Sequence, residues 1–410
     1  MVTALDLHSR ILVKKYGGTS VGTLERIESV ADRLVADIKR GEIPIVVASA
    51  MSGETNRLVA MAEKLDPEYR GPAYDMLVAS GEQVSIALLA IALQKRGVKA
   101  QALLAYQLGI QTDKVYSKAR IQKIDGEKLL KLCREGIVPI VAGFQGVDEE
   151  DNITTLGRGG SDTTAVALAA AIKADKCEIY TDVAAVCTTD PRLVPKAKEI
   201  SKISFEEMME MAALGSKVLH IRCVEIAAKY GIRIHLRSTF ESREGTWIVP
   251  EGEIMMEDAL VTGFTHDANT YVFNLQPIPH GTAFLGNLFE LLSKKGVIVD
   301  IITQSDTGSG QRLSFSVTKE DVALTNQVLK EFLPAEVKVE TMEAMAKISV
   351  VGVGMRNHPG VAATFFKTLA AEKISVLLVT TSEIKISAVI ENENLQKAAE
   401  KLSAAFQLQA

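Results

Sequence analysis

Residues 11–34 read ILVKKYGGTSVGTLERIESVADRL, and this stretch decides the fold class. A short apolar run ends in two lysines and turns through two glycines. A helical period follows, with Leu24, Ile27, Val30, Leu34 and Ile38 on one face and Gly41 as a stop. A buried strand therefore feeds a helix, and the pattern repeats. IPIVVAS (43–49) precedes helical NRLVAMAEKL (56–65), and a long helical region of about 73–95 precedes VKAQALLA (98–105). GIVPIVAGF (136–144) precedes the helix DTTAVALAAAIKA (162–174). After the strand KCEIYTD (176–182) come a Pro-punctuated loop, helices at about 204–213 and 217–229, and the strands IRIHLRS (232–238) and TWIV (246–249). Strands alternating with helices predict an α/β fold, a mostly parallel sheet sandwiched by helices. In such sheets ligands gather beyond the carboxyl ends of the strands.

Around PEGEIMMED (250–258) the character changes, and a weak internal repeat follows. FELLSKKGVIVDIITQS from Phe289 lines up with FKTLAAEKISVLLVTTS from Phe366, each with a strand before it and another after it. Two tandem ββ-and-α units of the ferredoxin-like kind are the expectation. The predicted division is 1–258 for a larger domain, then 259–340 and 341–410 for two small α+β domains.

The chain has 410 residues, 47% hydrophobic and 24% charged, with a net charge of −5. No basic run is interleaved with aromatics, which excludes nucleic acid as a partner. Cys133, Cys177, Cys187 and Cys223 show no CxxC spacing and read as reduced thiols. No uninterrupted apolar stretch approaches the ~20 residues of a membrane span. A soluble, cytoplasmic protein without membrane partners is the expectation.

Polar, glycine-rich segments fall at the expected ends of strands. In KKYGGTS (14–20) the turn offers backbone N–H groups and a helix N-terminus to an anion, with a lysine just before it. Alternation along the strand sends Lys14 and Lys15 to opposite sides. ASAMSGETNRL (48–58) allows close backbone approach, with Ser52 or Thr55 placed to cap the next helix. In VASGEQVS (78–85), Glu82 stands in apolar surroundings where a carboxylate is costly without a partner. TTLGRGGSDTTAVALAAA (154–171) is the most specific: Ser161, Asp162 and Thr163 start an apolar helix, and Arg158 sits among glycines, able to grip a carboxylate bidentately. Thr181 and Asp182 end a strand, Arg192 lies in a TTDPR turn, and Lys217 begins a helix. Basic groups converging on glycine loops suit a polyphosphate. HExxH, CxxC and EF-hand patterns are missing, as is a GxSxG elbow, which argues against a metal site and a hydrolase.

Taken in order, KYGGTSV, SAMSGETNRL, ASGEQVS, TLGRGGSDTTAVALAAA, YTDV…TTDPR and LGSKVLH resemble the aspartate kinases of the amino-acid kinase family. The segments ITQS and HPGVAATFF…TTSEIKISAVI resemble their tandem ACT regulatory domains. The likeness runs from about residue 10 to the C-terminus, and no homoserine dehydrogenase-like segment follows, as in the monofunctional type. It implies transfer of the γ-phosphoryl of ATP to the side-chain carboxylate of L-aspartate, with Mg2+ held mainly by the phosphates. It selects Lys15 to neutralise the transferring group beside Gly17 and Gly18, and Asp162 to orient Lys15 or hold magnesium through water. Arg158 would clamp the α-carboxylate of aspartate, and Glu82 would receive its ammonium. Ser49, Ser52, Thr55 and Ser161 would lie near substrate, and Thr181, Asp182, Arg192 and Lys217 would line the nucleotide site.

The ACT resemblance implies feedback by lysine, threonine or both, with Asp300, Gln304, Ser305, His358, Val361 and Thr380 as effector contacts. It also implies a homodimer through these domains, or a higher oligomer. Two departures stand out. The usual acidic residue, glycine and aromatic of the TDVDGVYT motif are Ala184, Ala185 and Cys187, which puts base contacts in doubt, and a usual proline is Ile221. Met255 and Met256 offer an internal start for a separate regulatory chain. Other substrates of the same fold (acetylglutamate, glutamate, carbamate, a nucleoside monophosphate) and a non-catalytic amino-acid sensor are the alternatives.

Overall fold

The computed structural model describes residues 10–216, 218–254, 260–306 and 310–410; Lys217, Met255 and Met256 lie outside them. The chain forms two units: Met1–Val186, Glu199–Ala212 and Lys217–Glu257 in the first, Cys187–Lys198, Ala213–Ser216 and Asp258–Ala410 in the second.

In the first unit the β-branched runs become an eight-stranded sheet: β1 (Ile11–Tyr16), β2 (Ile43–Ala48), β3 (Ala100–Leu103), β4 (Val138–Ala142), β5 (Lys176–Thr181), β6 (Lys202–Ser204), β7 (Arg233–Ser238) and β8 (Thr246–Val249). Their order is β6-β8-β7-β5-β1-β2-β4-β3. All pairings are parallel except β7 with β8. The helices are α1 (Leu24–Lys39), α2 (Glu54–Leu65), α3 (Pro72–Val78), α4 (Ser80–Lys95), α5 (Glu127–Arg134), α6 (Gly160–Ala171), α7 (Phe205–Ala213) and α8 (Ile221–Tyr230). From β1 the chain runs outward through β2, β3 and β4, then returns to place β5 on the other side of β1. The direction of winding thus reverses at β1, which is where a parallel sheet opens a crevice.

Ile27, Val30 and Leu34 of α1 join Ile86, Leu89 and Leu93 of α4 in one core with Val46, Ile140 and Tyr16 of the sheet. Each such side chain contributes roughly 1.5–3 kcal/mol. Helices α3 and α4 run almost continuously, and Pro72–Lys95 is long and apolar enough, by length and composition, to cross a membrane. The sequence led us to expect no such segment. Its apolar character has a structural cause, since 56% of that window is buried inside the chain and α4 is hydrophobic because it crosses the core. All four thiols are free, and three are buried.

The second unit has a six-stranded sheet: β9 (Gly263–Ile278), β10 (Val299–Asp306), β11 (Gln311–Thr318), β12 (Lys338–Val351), β13 (Leu378–Thr381) and β14 (Lys385–Glu391). The order is β10-β11-β9-β12-β14-β13. Helices α9 (Thr282–Lys294), α10 (Val322–Phe332), α11 (Val361–Ala371) and α12 (Leu395–Ala405) cover it. The repeat is present, but its two cores do not divide the chain at residue 340. Phe273 and Leu275, in the later part of β9, pack with α9, α10 and β11. Val261, just before β9, and Phe264, at its start, pack with α11, α12, β14 and the end of β12. A long strand can serve two cores in this way, and a repeat alignment based on helices does not reveal it. Val194 also enters the second core, and Ala410 N–H, Lys198 N–H and Thr188 Oγ1 bond across Lys196–Leu408 backbone in the same unit.

Candidate active site

Alternation along β1 separates the two lysines. Lys14 is 2% exposed and turns toward α1, with Nζ 2.8 Å from Asp37, 2.5 Å from Glu42 and 3.4 Å from Glu178. Burial alone would lower its pKa; Glu178, Asp37 and Glu42 outweigh burial and hold it above the ordinary value. Burial pushes the Glu178 carboxyl up, but Lys14 and Lys176 reverse this and hold it at about 2. This cluster is neutralised internally and has no need of a ligand. Lys15 turns to the other face, where its Nζ lies 2.6 Å from Oδ1 of Asp162 in the first turn of α6.

The glycine turn closes against β5 and the loop after β2. Gly17 N–H donates to Tyr180 O at 3.1 Å, so it is not the free anion donor the sequence led us to expect. Gly18 must lack a side chain: a Cβ there would lie 2.9 Å from Ala50 O. Ser52 N–H donates to Gly18 O at 3.1 Å, while Ser49 and Thr55 are half-buried. Neither Ser52 nor Thr55 caps α2. Gly53 is the N-cap, with φ +83° and no side-chain bond, because the turn takes the left-handed conformation that glycine adopts without strain.

Glu82 opens α4 and is 3% exposed. One carboxylate oxygen accepts Ala50 N–H at 3.0 Å, and the other is buried without a partner. Burial raises its pKa to about 7, against the pull of the Ala50 N–H. A half-satisfied buried carboxylate of this kind calls for a cation.

Ser161 and Asp162 stand at the N-terminus of α6, both nearly buried, and a Cβ on Gly143, after β4, would collide with Ser161. Gly159 is the N-cap at φ +68°. Arg158 is exposed and bonds to none of the described residues. Thr181 Oγ1 donates to Asp182 at 3.1 Å, and Asp182 is exposed at the end of β5. Lys15, Gly18, Ser49, Ser52, Glu82, Ser161 and Asp162 thus assemble at the carboxyl ends of β1, β2 and β4, with Thr181 next to them on β5. Arg192 belongs instead to the second unit, where Asp190 engages its guanidinium at 2.7 Å. The helix expected from Lys217 starts at Ile221.

The two departures cost the fold little. Ala185 is 4% exposed and has no positive φ, so the missing glycine brings no strain. Ile221 occupies the first position of α8, where proline is favoured but not required.

Three residues were not singled out by sequence. His220 caps α8, packs against Gly159, and is held neutral by burial and by the nearby Arg222 charge. Arg222 donates to Leu156 O and Ala119 O. Asp75 is fully buried on α3 and had a legible signal, the one used for Glu82: a carboxylate inside an apolar helix.

The effector candidates fall on two regions of the second sheet. Asp300, Gln304 and Ser305 are exposed on the edge strand β10, where Asp300 is engaged by the buried Lys347 and Gln304 donates to Gln311 at 2.6 Å. Thr380 lies on the other edge strand, β13, and His358 is exposed. Val361 is 3% exposed and fills the core, so only its backbone is available to a ligand.

Residues 10–238 match the amino acid kinase family, and residues 348–406 match an ACT domain. An aspartate kinase of Stutzerimonas stutzeri (strain A1501) is 46% identical over 404 residues, 98% of each chain. E. coli aspartokinase III, solved in complex with aspartate and ADP, superposes with a TM-score of 0.82 at 28% identity, over 96% of this chain and 99% of that one. The same enzyme solved with lysine and aspartate gives 0.77 at 28% identity, over 97% and 100%. By these likenesses the chain belongs to the aspartate kinase family.

Proposed function

We propose that the chain transfers the γ-phosphoryl group of ATP to the β-carboxylate of L-aspartate, giving 4-phospho-L-aspartate, the first step toward lysine, threonine and methionine. A carboxylate oxygen attacks the γ-phosphorus, the bond to the bridging oxygen breaks, and ADP leaves with the electron pair. The nucleophile is already ionised at neutral pH, so no proton is moved and no general base is needed. Catalysis is then positioning and charge neutralisation.

The observation that carries this reading is the pairing of Lys15 with Asp162 beside Gly18 at the strand ends where Glu82 keeps one buried oxygen unsatisfied. Lys15 spreads charge from the transferring group, and Asp162 holds its ammonium in place. Glu82 receives the ammonium of aspartate, Arg158 its α-carboxylate, and Ser49, Ser52, Thr55 and Ser161 surround it. Thr181 and Asp182 line the nucleotide. Among the described residues no group of three or more His, Cys, Asp or Glu is arranged to hold a metal ion. The magnesium accompanying ATP, which offsets phosphate charge, would take its ligands mainly from the phosphates.

By the same reading the ACT half binds lysine, threonine or both and biases the kinase between two states, in a cytoplasmic homodimer joined through these domains. Trapping the acyl phosphate as a hydroxamate, with ATP, Mg2+ and a panel of acidic amino acids, tests the substrate. Product with aspartate is expected; product with glutamate or acetylglutamate but not aspartate would overturn the choice, and no product with any would favour a sensor.

A further inference from the structure

Asp75 has a fully buried side chain, two helical turns before Glu82, so the two carboxylates share a face of the almost continuous α3–α4 helix. Its charge is met by backbone dipoles rather than by a cation. Ser117 N–H donates to both oxygens at 3.0 Å, and Thr155 N–H donates to one at 2.6 Å. Thr155 ends the short strand Ile153–Thr155, three residues before Arg158.

The rest of that stretch is pinned as well. Thr155 O accepts Ala119 N–H at 2.9 Å, and Leu156 N–H donates to Phe144 O at 2.8 Å. Arg222 donates to Leu156 O at 2.6 Å and to Ala119 O at 2.9 Å. Ser117 O comes so near Gly157 that a Cβ there would lie 2.9 Å away. Every backbone polar group of Thr155 and Leu156 is committed, and Arg158 begins where these bonds end.

We propose that Asp75 is a positioning residue that ties the helix carrying Glu82 to the loop carrying Arg158, fixing the spacing of the two charges that grip aspartate. This rests on the aspartate reading above. Charge-assisted bonds to N–H groups are short and directional, so a carboxylate here holds the loop more rigidly than a neutral amide would. The ammonium and α-carboxylate of aspartate sit on one carbon, and a grip on both tolerates little drift. The tether touches neither Lys15 nor the glycine turn, so its loss should spare the nucleotide.

Asp75→Asn sets an NH2 group against a backbone N–H and tests the tether. The expected result is a rise of about 10- to 100-fold in the KM for aspartate, with the KM for ATP unchanged within about twofold. Equal rises in both, or no rise for aspartate, overturn the proposal, the first by showing a merely structural role. Glu82→Gln and Arg158→Ala serve as controls. If neither raises the KM for aspartate, the substrate reading itself fails; if both do and Asp75→Asn does not, only the tether fails. Should Asp75→Asn not fold, hydrogen exchange of the wild-type chain decides. Slow exchange at the Ser117 and Thr155 amides is expected, and fast exchange at either overturns the tether.

Discussion

At the scale of single residues, the site turns on neighbours treated in opposite ways. Lys14 is surrounded by three carboxylates and fully spent, whereas Lys15 has one partner and retains donors for an incoming anion. Glu82 is the reverse case, a buried carboxylate left half-satisfied, with its pKa raised to about 7 by burial. Two predictions follow from its sign. An ammonium ion stabilises the ionised form, so at saturating ATP the KM for aspartate should rise about fivefold from pH 7 to pH 6, and Glu82→Gln should have a high KM that no longer varies over that range. A flat wild-type profile would contradict this. Without ligand, the raised pKa makes Glu82 harmless below about pH 4.5 and increasingly destabilising as the pH climbs to about 7, since the unfolded chain ionises first. Glu82→Gln should therefore be more stable than wild type at pH 8, by on the order of 2–3 kcal/mol in urea unfolding, and no more stable at pH 4.

At the scale of elements, much was legible because the signals were local. Strand and helix periods placed the sheet and most of its helices, and the apolar surroundings of the carboxylate in VASGEQVS marked it as buried. What sequence could not supply depended on backbone conformation or on distant partners. Gly53, not Ser52 or Thr55, starts α2 because of a left-handed turn, and the Gly17 N–H is taken by a strand more than 160 residues away. Gly159 shows how tightly such turns are built. Its φ of +68° suits glycine, and a Cβ would lie 2.3 Å from that of His220. Gly159→Ala should destabilise the first unit by about 1–3 kcal/mol and raise the KM for aspartate by displacing Arg158. Wild-type stability in that variant, read by thermal unfolding, would contradict the placement.

At the scale of the whole molecule, the division into domains was the least legible feature. Lys217–Glu257 closes the first unit and Asp258 opens the last segment of the second, yet Cys187–Lys198, inside the kinase portion of the chain, also belongs to the second unit. Val194 is 2% exposed in the core formed with α11 and α12. Val194→Ala should lower the stability of that unit by ~2 kcal/mol, through lost burial and a residual cavity. An unchanged urea midpoint for the second unit would show that the segment is not part of its core. Phosphoryl transfer nevertheless depends on one side chain, and hydroxamate-trapped turnover of Lys15→Ala measures that dependence. A loss of about a thousandfold or more, roughly 4 kcal/mol of transition-state stabilisation, is expected in a variant that unfolds as cooperatively as wild type. Turnover within a few-fold of wild type would contradict it.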